Sequence, residues 1–553
     1  MGLDTGLPLI RQQFLCNRSF RVSMRQHLSD RYTQEEGVPQ GCVLSVTLFA
    51  VKVNQLGNII LSDTKFLSSL YVDDFQLSYR DVSLVTVGRK LQTALYSIHE
   101  WCKKNGFTFS LQKTKAMHFT QIPGLHLKPE LHLQNEVIEY KNNFKFLGLI
   151  WDDKLTWALH VSELKTKCKK MIGMMKSISS QDWGGDRLTL RHLYRVFIRS
   201  KLDYGSIVYN SGSRTVVGAL EPIVNECLRM ITGCFKSTPV ESLKVIANEL
   251  PLTLRRDLLT LKYYIKTRSQ YSNPAHGLVT SLSDRLLFHN RKLTPTLAIR
   301  AWDMIESMNI ETNFVCPEFS YTLRNIDIPT WKIKSLRIND EPSILAKAVT
   351  PHEAFQQLYR ELVSGVYSNY VAIFTDGSKT DQGVGAAAVA PNQTKTASLP
   401  KMASVFTAEL HAINMALSIV EGGASENSVI FTDSLSTLYS LTDSNTNNSI
   451  SRRIQHKVHG ILNTKRVELC WISSHTGISG NEAADQTAKA ATARHHEGIL
   501  LPDSDWYPSL KEGLSYKIHP SLKDKIFEKW KIAWQIKNGK LKAIKNAPVL
   551  GGV

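Results

Sequence analysis

Two short apolar runs in this chain close on the same four letters, Ile373-Phe-Thr-Asp376 and, 57 positions on, Ile430-Phe-Thr-Asp433. Runs this short and this apolar, bounded by Gly377 and Ser378 or by Ser434, predict strands buried on both faces of a largely parallel sheet. Between them, Phe406, Leu410, Ile413, Leu417 and Val420 recur at helical spacing, with Glu409 on the flank of the apolar stripe. A further strand is expected over 466–472. A loop with Gly477 and Gly480 then leads into a helix that carries Asp485 among Ala483, Ala484, Ala488 and Ala490. Earlier in the chain, alternation over 66–77 predicts a hairpin with Asp73 and Asp74 at its tip, and the Gly37-Val-Pro-Gln40-Gly41 loop opens an apolar, helix-like run over 46–56. Residues from about 155 to 330 read as helical, with 164–176, 188–204 and 220–233 each pairing an apolar face with a basic one. The stretch after it holds Pro329, Pro342 and Pro351 without a sustained period and predicts a linker. The expected organisation is five segments, at 1–152, 153–330, 331–367, 368–492 and 493–553. The last is a basic tail with helical character from Lys523 to Lys545, including Trp530 and Trp534.

If the two repeated strands are neighbours, Asp376 and Asp433 meet at one edge of the sheet, where open α/β sheets hold ligands. A carboxylate at Glu409, beside an apolar stripe, is costly unless something positive meets it. Asp485 brings a fourth acid on a small-residue, close-packing face. Four such groups repel one another, and a pair of divalent cations about 4 Å apart reverses the sign of that repulsion. Oxygen-only donors suit Mg2+ or Mn2+. Taken singly, an Asp at a strand end is a turn or cap residue, and so is the Asp73-Asp74 pair. His475, taken alone, is a loop histidine held by the two glycines. Four carboxylates in register change that reading.

Composition narrows the class. The chain has 553 residues, 42% of them hydrophobic and 21% charged, which is ordinary globular content with room for several full-sized cores. No run approaches membrane-spanning length and the N-terminus lacks the order of a signal peptide, so an intracellular protein is expected, in nucleus or cytoplasm. Eight scattered cysteines, at 16, 42, 102, 168, 227, 234, 316 and 470, show no metal-knuckle spacing and read as reduced. The net charge of +18 is unevenly spread. Residues 141–300 hold 26 Lys and Arg against 12 Asp and Glu, whereas 368–492 hold 9 against 10. A polyanion is therefore expected on the middle segment, with the acid cluster supplying chemistry and little attraction of its own.

The motifs also carry a resemblance. Phe-Thr-Asp-Gly-Ser, Thr-Ala-Glu-Leu, Phe-Thr-Asp-Ser and Trp-Ile-Ser-Ser-His475-Thr-Gly-Ile-Ser-Gly-Asn-Glu-Ala-Ala-Asp485, in that order, resemble the ribonuclease H domain of non-LTR, jockey-like retrotransposon polyproteins. That resemblance implies Asp376, Glu409, Asp433 and Asp485 as ligands of two Mg2+ ions, with Mn2+ an alternative. It also implies His475 on a mobile loop that assists proton transfer or product release. The upstream motifs, Gly37 to Ser45, Tyr71-Val-Asp73-Asp74 and Phe146-Leu-Gly-Leu-Ile-Trp151, are similar to the palm of a reverse transcriptase, with Asp73, Asp74, Gln40 and Gly41 as its remnant site. The implied fold is α/β. A partial α+β palm and a helical thumb-like module precede a ribonuclease H-like mixed sheet with flanking helices. A further palm aspartate belongs upstream of these motifs in that family. Only Asp4 and Asp30 precede Gly37, neither closing an apolar run, so a truncated and inactive polymerase is expected. The implied function is metal-dependent hydrolysis of the RNA strand of RNA/DNA hybrids. The alternatives are an RNA-directed DNA polymerase and a catalytically idle nucleic-acid-binding relic.

Overall fold

A computed structural model describes residues 14–502 and Asp505, apart from 26, 36, 61–64, 121–123, 125, 181–182, 271–272, 281–294, 308–332, 346, 348, 445, 447, 497 and 503–504. The basic helical tail expected over 523–545, and Cys316, lie outside the described residues. The seven described cysteines are free. Among the described residues no helix is long and apolar enough to cross a membrane.

The chain divides into two units, Met1–His160 and Val161–Val553. In the first, strands Phe66–Tyr71 and Asp74–Tyr79 form the expected antiparallel hairpin, with Tyr71 opposite Asp74. Its Phe66, Phe75 and Leu77 pack with Val53, Leu56, Ile98 and Cys102. The helix Leu84–Asn105 supplies the last two of these. It starts where the Ser83 hydroxyl accepts the Thr86 N–H and stops at Gly106, whose φ of 72° suits a left-handed cap. The predicted run after Gly41 is the helix Val43–Val53. Gly37 and Gly41 both turn through positive φ before it, and the Ser45 hydroxyl donates to the Pro39 carbonyl at 2.5 Å.

The second unit begins with helices. The segment expected as one helix over 188–204 is three pieces, Arg187–Leu193, a π-helical turn Tyr194–Arg199, and Ser200–Asp203. Around that turn Arg195 and Arg199 both reach the buried Glu249, at 2.5 and 2.8 Å, and Arg255 holds Asp203 at 2.7 Å. Part of the basic surplus of 141–300 is thus turned inward, to the buried Glu249 and the half-buried Asp203. Lys169 and Lys170, on the helix Ala158–Ser177, remain exposed.

The remainder of the unit is a six-stranded mixed sheet. Its strands are β1 (Arg337–Asn339), β2 (Val371–Lys379), β3 (Val384–Ala390), β4 (Gln393–Leu399), β5 (Asn427–Thr432) and β6 (Arg466–Trp471), in the order β1-β6-β5-β2-β3-β4. The helices are α1 (His352–Ser364), α2 (Val405–Gly422), α3 (Leu435–Thr442), α4 (Ser449–Ile461) and α5 (Ser479–Thr492). β2, β5 and β6 run parallel, with Ile373 opposite Ile430 and Phe374 opposite Phe431. The period of two sends their side chains to opposite faces. Ile373, Ile430 and Leu469 join α2, α3 and α4, whereas Phe374, Phe431 and Cys470 join α1 and the start of α5. Both faces are covered, which is why the sequence shows unbroken apolar runs here in place of alternation. The hairpin β2-β3-β4 is antiparallel and makes the sheet mixed.

The stretch 331–367 is corrected by the structure. Where a linker was expected, β1 adds a parallel edge strand to β6, pairing Arg337 with Glu468. α1 buries Phe355 and sets the Tyr359 ring 5.4 Å from that of Phe431.

Candidate active site

The repeated Ile-Phe-Thr-Asp owes its meaning to the register. Because Phe374 pairs with Phe431, the next in-register positions beyond it bring Asp376 and Asp433 to the same end of two parallel neighbours. Gly377 lets α2 press onto β2. A Cβ there would come 2.5 Å from the Glu409 backbone nitrogen, so any other residue would push Glu409 away. α2 itself starts at Ser404, which accepts the Thr407 N–H at 3.1 Å. The outcome is that carboxylate oxygens of Asp376, Glu409 and Asp433 lie within 4.8 Å of one another. Asp485 stands alongside on α5 and forms a second group, with His475 and Glu482, of the same compactness.

The electrostatics follow from this crowding. Burial, then the charges of Asp433 and Asp485, push the Asp376 carboxyl up to about 7. Burial, then the charges of Asp376 and Asp433, push Glu409 well above the usual carboxylate range. Its Oε2 is buried without a hydrogen-bond partner. Burial also raises Asp433, against the pull of the Asn481 side chain and of His475 and Lys347. Three carboxylates that disfavour their own ionisation, one with an orphaned oxygen, form an all-oxygen donor set of the kind that hard divalent cations take. The residues present therefore fit such ions.

Each partner has a place. The Trp471 indole donates to the Asp433 carbonyl at 3.0 Å. Lys489 donates to Asp485 Oδ2 at 2.7 Å, one helical turn on. His475, at a φ of 51°, is largely exposed, with Nδ1 3.9 Å from the same Asp485 oxygen. Sequence reasoning passed over Asn481, Glu482, Lys489 and Lys347. The spacing of Asn481 and Lys489, four residues on either side of Asp485, was a usable signal; nothing local marked Lys347. In the first unit Asp73, Asp74, Gln40 and Gly41 are all exposed. Among the described residues no third ligand-type side chain joins Asp73 and Asp74.

Two family models match the chain. One is reverse transcriptase (RNA-dependent DNA polymerase), over residues 4–151, and the other is RNase H, over 368–493. Among curated proteins, the probable RNA-directed DNA polymerase from transposon BS of Drosophila melanogaster is 24% identical over 232 residues, 41% of this chain and 25% of that protein. The RNA-directed DNA polymerase from the mobile element jockey of the same fly is 24% identical over 234 residues, again 41% of this chain and 25% of that protein. The chain spans about a quarter of the length of these relatives. Among solved structures, RNase H1 from the halophilic archaeon Halobacterium salinarum is similar over 22% of this chain and 96% of that one, at 20% identity and a TM-score of 0.19. The chain thus carries a reverse transcriptase domain followed by an RNase H domain, in that order, and its homologues are the RNA-directed DNA polymerases of jockey, R1 and other non-LTR retrotransposons.

Proposed function

We propose that this protein hydrolyses the RNA strand of RNA/DNA hybrids, with Asp376, Glu409, Asp433 and Asp485 holding two Mg2+ ions, or Mn2+ in their place. The observation that carries the reading is the triad of Asp376, Glu409 and Asp433 within 4.8 Å, the first two buried and the third half-buried, with its orphaned Glu409 oxygen. Bound cations at such a site supply charge neutralisation at the scissile phosphodiester and lower the pKa of an attacking water.

The chain's own residues do the rest. Asn481 and Trp471 fix Asp433 from its side chain and its carbonyl, and Lys489 fixes Asp485. Positioning of this kind is most of what phosphoryl chemistry asks of a protein. His475, exposed beside Asp485, is the residue we assign to carrying a proton to or from the departing oxygen. The exposed lysines of Ala158–Ser177 supply attraction for a polyanionic duplex.

Purified full-length protein should cleave a labelled RNA/DNA hybrid in Mg2+ and not in EDTA, and should leave single-stranded RNA intact. Equal cleavage of the single strand would sink the reading.

A further inference from the structure

Two side chains from outside the segment that matches the RNase H family grip the loop that presents His475. Gln356, on α1, donates its Nε2 to the Thr476 carbonyl at 2.8 Å, and Lys347 donates to the Ser474 hydroxyl at 2.6 Å. These contacts fall on the residues either side of His475. The loop between β6 and α5 is tightly shaped around them. His475 and Gly477 both adopt positive φ, and the Thr476 hydroxyl donates to the Ser473 carbonyl at 3.0 Å. A Cβ at Gly477 would lie 2.6 Å from the Gln356 amide nitrogen, so the glycine is what lets that amide in. Thr476 is buried while the His475 ring stays largely exposed. Held on both sides in this way, the ring is kept on the Asp485 side of the loop, without being packed itself.

We propose that Gln356 and Lys347 are positioning residues for His475, which makes the segment upstream of the matched RNase H stretch part of the working site. The proposal rests on the hybrid-cleavage reading for its kinetic consequence, though not for its structural one. A left-handed non-glycine residue is a conformation that surrounding contacts must hold. A misplacement of about 1 Å at a reacting group can cost on the order of 10²-fold in rate.

The experiment is a double-mutant cycle in the full-length protein. Gln356→Ala should lower kcat for hybrid cleavage about tenfold or more with KM nearly unchanged, and should cost little further in a His475→Ala background. Gln356→Glu, which keeps the shape but faces the Thr476 carbonyl with an acceptor, should behave alike. Lys347→Ala should show a smaller loss that Lys347→Arg restores. A purely structural staple would instead give additive losses in the two backgrounds, and additivity overturns the proposal. Backbone hydrogen exchange over 474–477, measured without metal, should quicken in Gln356→Ala while exchange in β2 and β5 stays as in the parent. Unchanged exchange in the loop overturns the proposal as well. A parent that cuts no hybrid would sink the hydrolase reading alone, because the exchange data judge the loop independently of catalysis.

Discussion

Two regions of this molecule end a β-element in adjacent or facing carboxylates, and only one of them makes a cluster. At the tip of the 66–79 hairpin, Asp73 and Asp74 sit exposed on a two-stranded sheet. At the edge shared by β2 and β5, Asp376 and Asp433 are brought together by parallel register, roofed by α2 and flanked by α5. Burial makes the second set interact. Asp376 is raised to about 7 largely because it is out of water and beside other acids. Solvent screens the first pair, as it does any exposed charges. A carboxylate pair in sequence is thus a weak sign, whereas carboxylates carried to one point by a doubly covered sheet form an interacting cluster.

The largest expected effect breaks that site directly. Asp376→Asn keeps the side chain's shape and removes one charge, so hybrid cleavage should fall by more than about 10³-fold, at least the loss expected for a single preorganised group at a reacting centre. The same variant should melt higher than the parent in EDTA at pH 8. Asp376 in the fold titrates above its unfolded value, so its stabilising contribution is complete below about pH 4 and is lost as the pH climbs through about 7. Asn removes that loss. Mg2+ should raise the melting temperature of the parent more than that of the variant. Parental cleavage by Asp376→Asn would overturn the site.

Asn481→Ala comes next, because it removes the side chain that steadies Asp433 without touching the acids. Residues that orient a ligand typically contribute about 10–100-fold to activity or metal affinity, and a loss of that size is expected in kcat/KM. Excess Mg2+ should recover part of it. A loss equal to that of Asp376→Asn would mean that Asn481 itself meets the substrate.

Much of this cluster was legible in the chain, for a physical reason. Strands buried on both faces leave unbroken apolar runs, and α2 leaves a 3.6-residue stripe, so Asp376, Glu409, Asp433 and Asp485 could be placed on elements from pattern alone. The segment before them was misread because its strand is only Arg337–Asn339, and three residues carry no period. That strand exists because β6 offers an unpaired edge. α1 was legible after all, since Phe355, Leu358, Tyr359 and Leu362 keep helical spacing, but the density of prolines around it hid the signal. Contacts such as Lys347 to Ser474 join positions 127 apart and leave no trace in local sequence.

A third kind of buried acid sharpens the comparison. Asp505 is as buried as Asp376, yet its Oδ1 has hydroxyls for company, Ser404 at 2.7 Å and Thr407 at 2.8 Å, where Asp376 has other carboxylates. It thereby ties residues beyond 493 to the start of the helix that carries Glu409. Burial lifts its carboxyl to about 6, against those hydroxyls and the charge of Lys379. A folded pKa above the unfolded one gives stability that is complete below about pH 4 and is lost as the pH rises through about 6. Asp505→Asn, which keeps the acceptor and cannot ionise, should therefore add about 3 kcal/mol at pH 8 and little at pH 4. Denaturant titrations at the two pH values check this, and Mg2+ should not alter the difference. Destabilisation at pH 8 would mean that the ionised carboxylate is what the Ser404 cap needs.

The smallest expected effect returns to the hairpin. Asp73→Asn with Asp74→Asn removes two charges from an exposed turn where, among the described residues, no third ligand-type group stands near. Surface charges of this kind contribute within about 0.5 kcal/mol to stability, so the melting temperature should hardly move. Cleavage of the hybrid should stay within about twofold of the parent, because the chemistry proposed for β2, β5 and α5 draws on no residue of the first unit. Val72, held at a φ of 54° between Tyr71 and the two acids, is a strained position for a β-branched residue, and such strain tends to collect where a chain binds something. The same double variant is therefore also assayed on a primed RNA template. Template-directed nucleotide incorporation by the parent that vanishes in the variant would give the hairpin a chemistry of its own. A drop in hybrid cleavage would instead break the comparison, since an exposed, screened pair would then be taking part in the reaction assigned to the buried one.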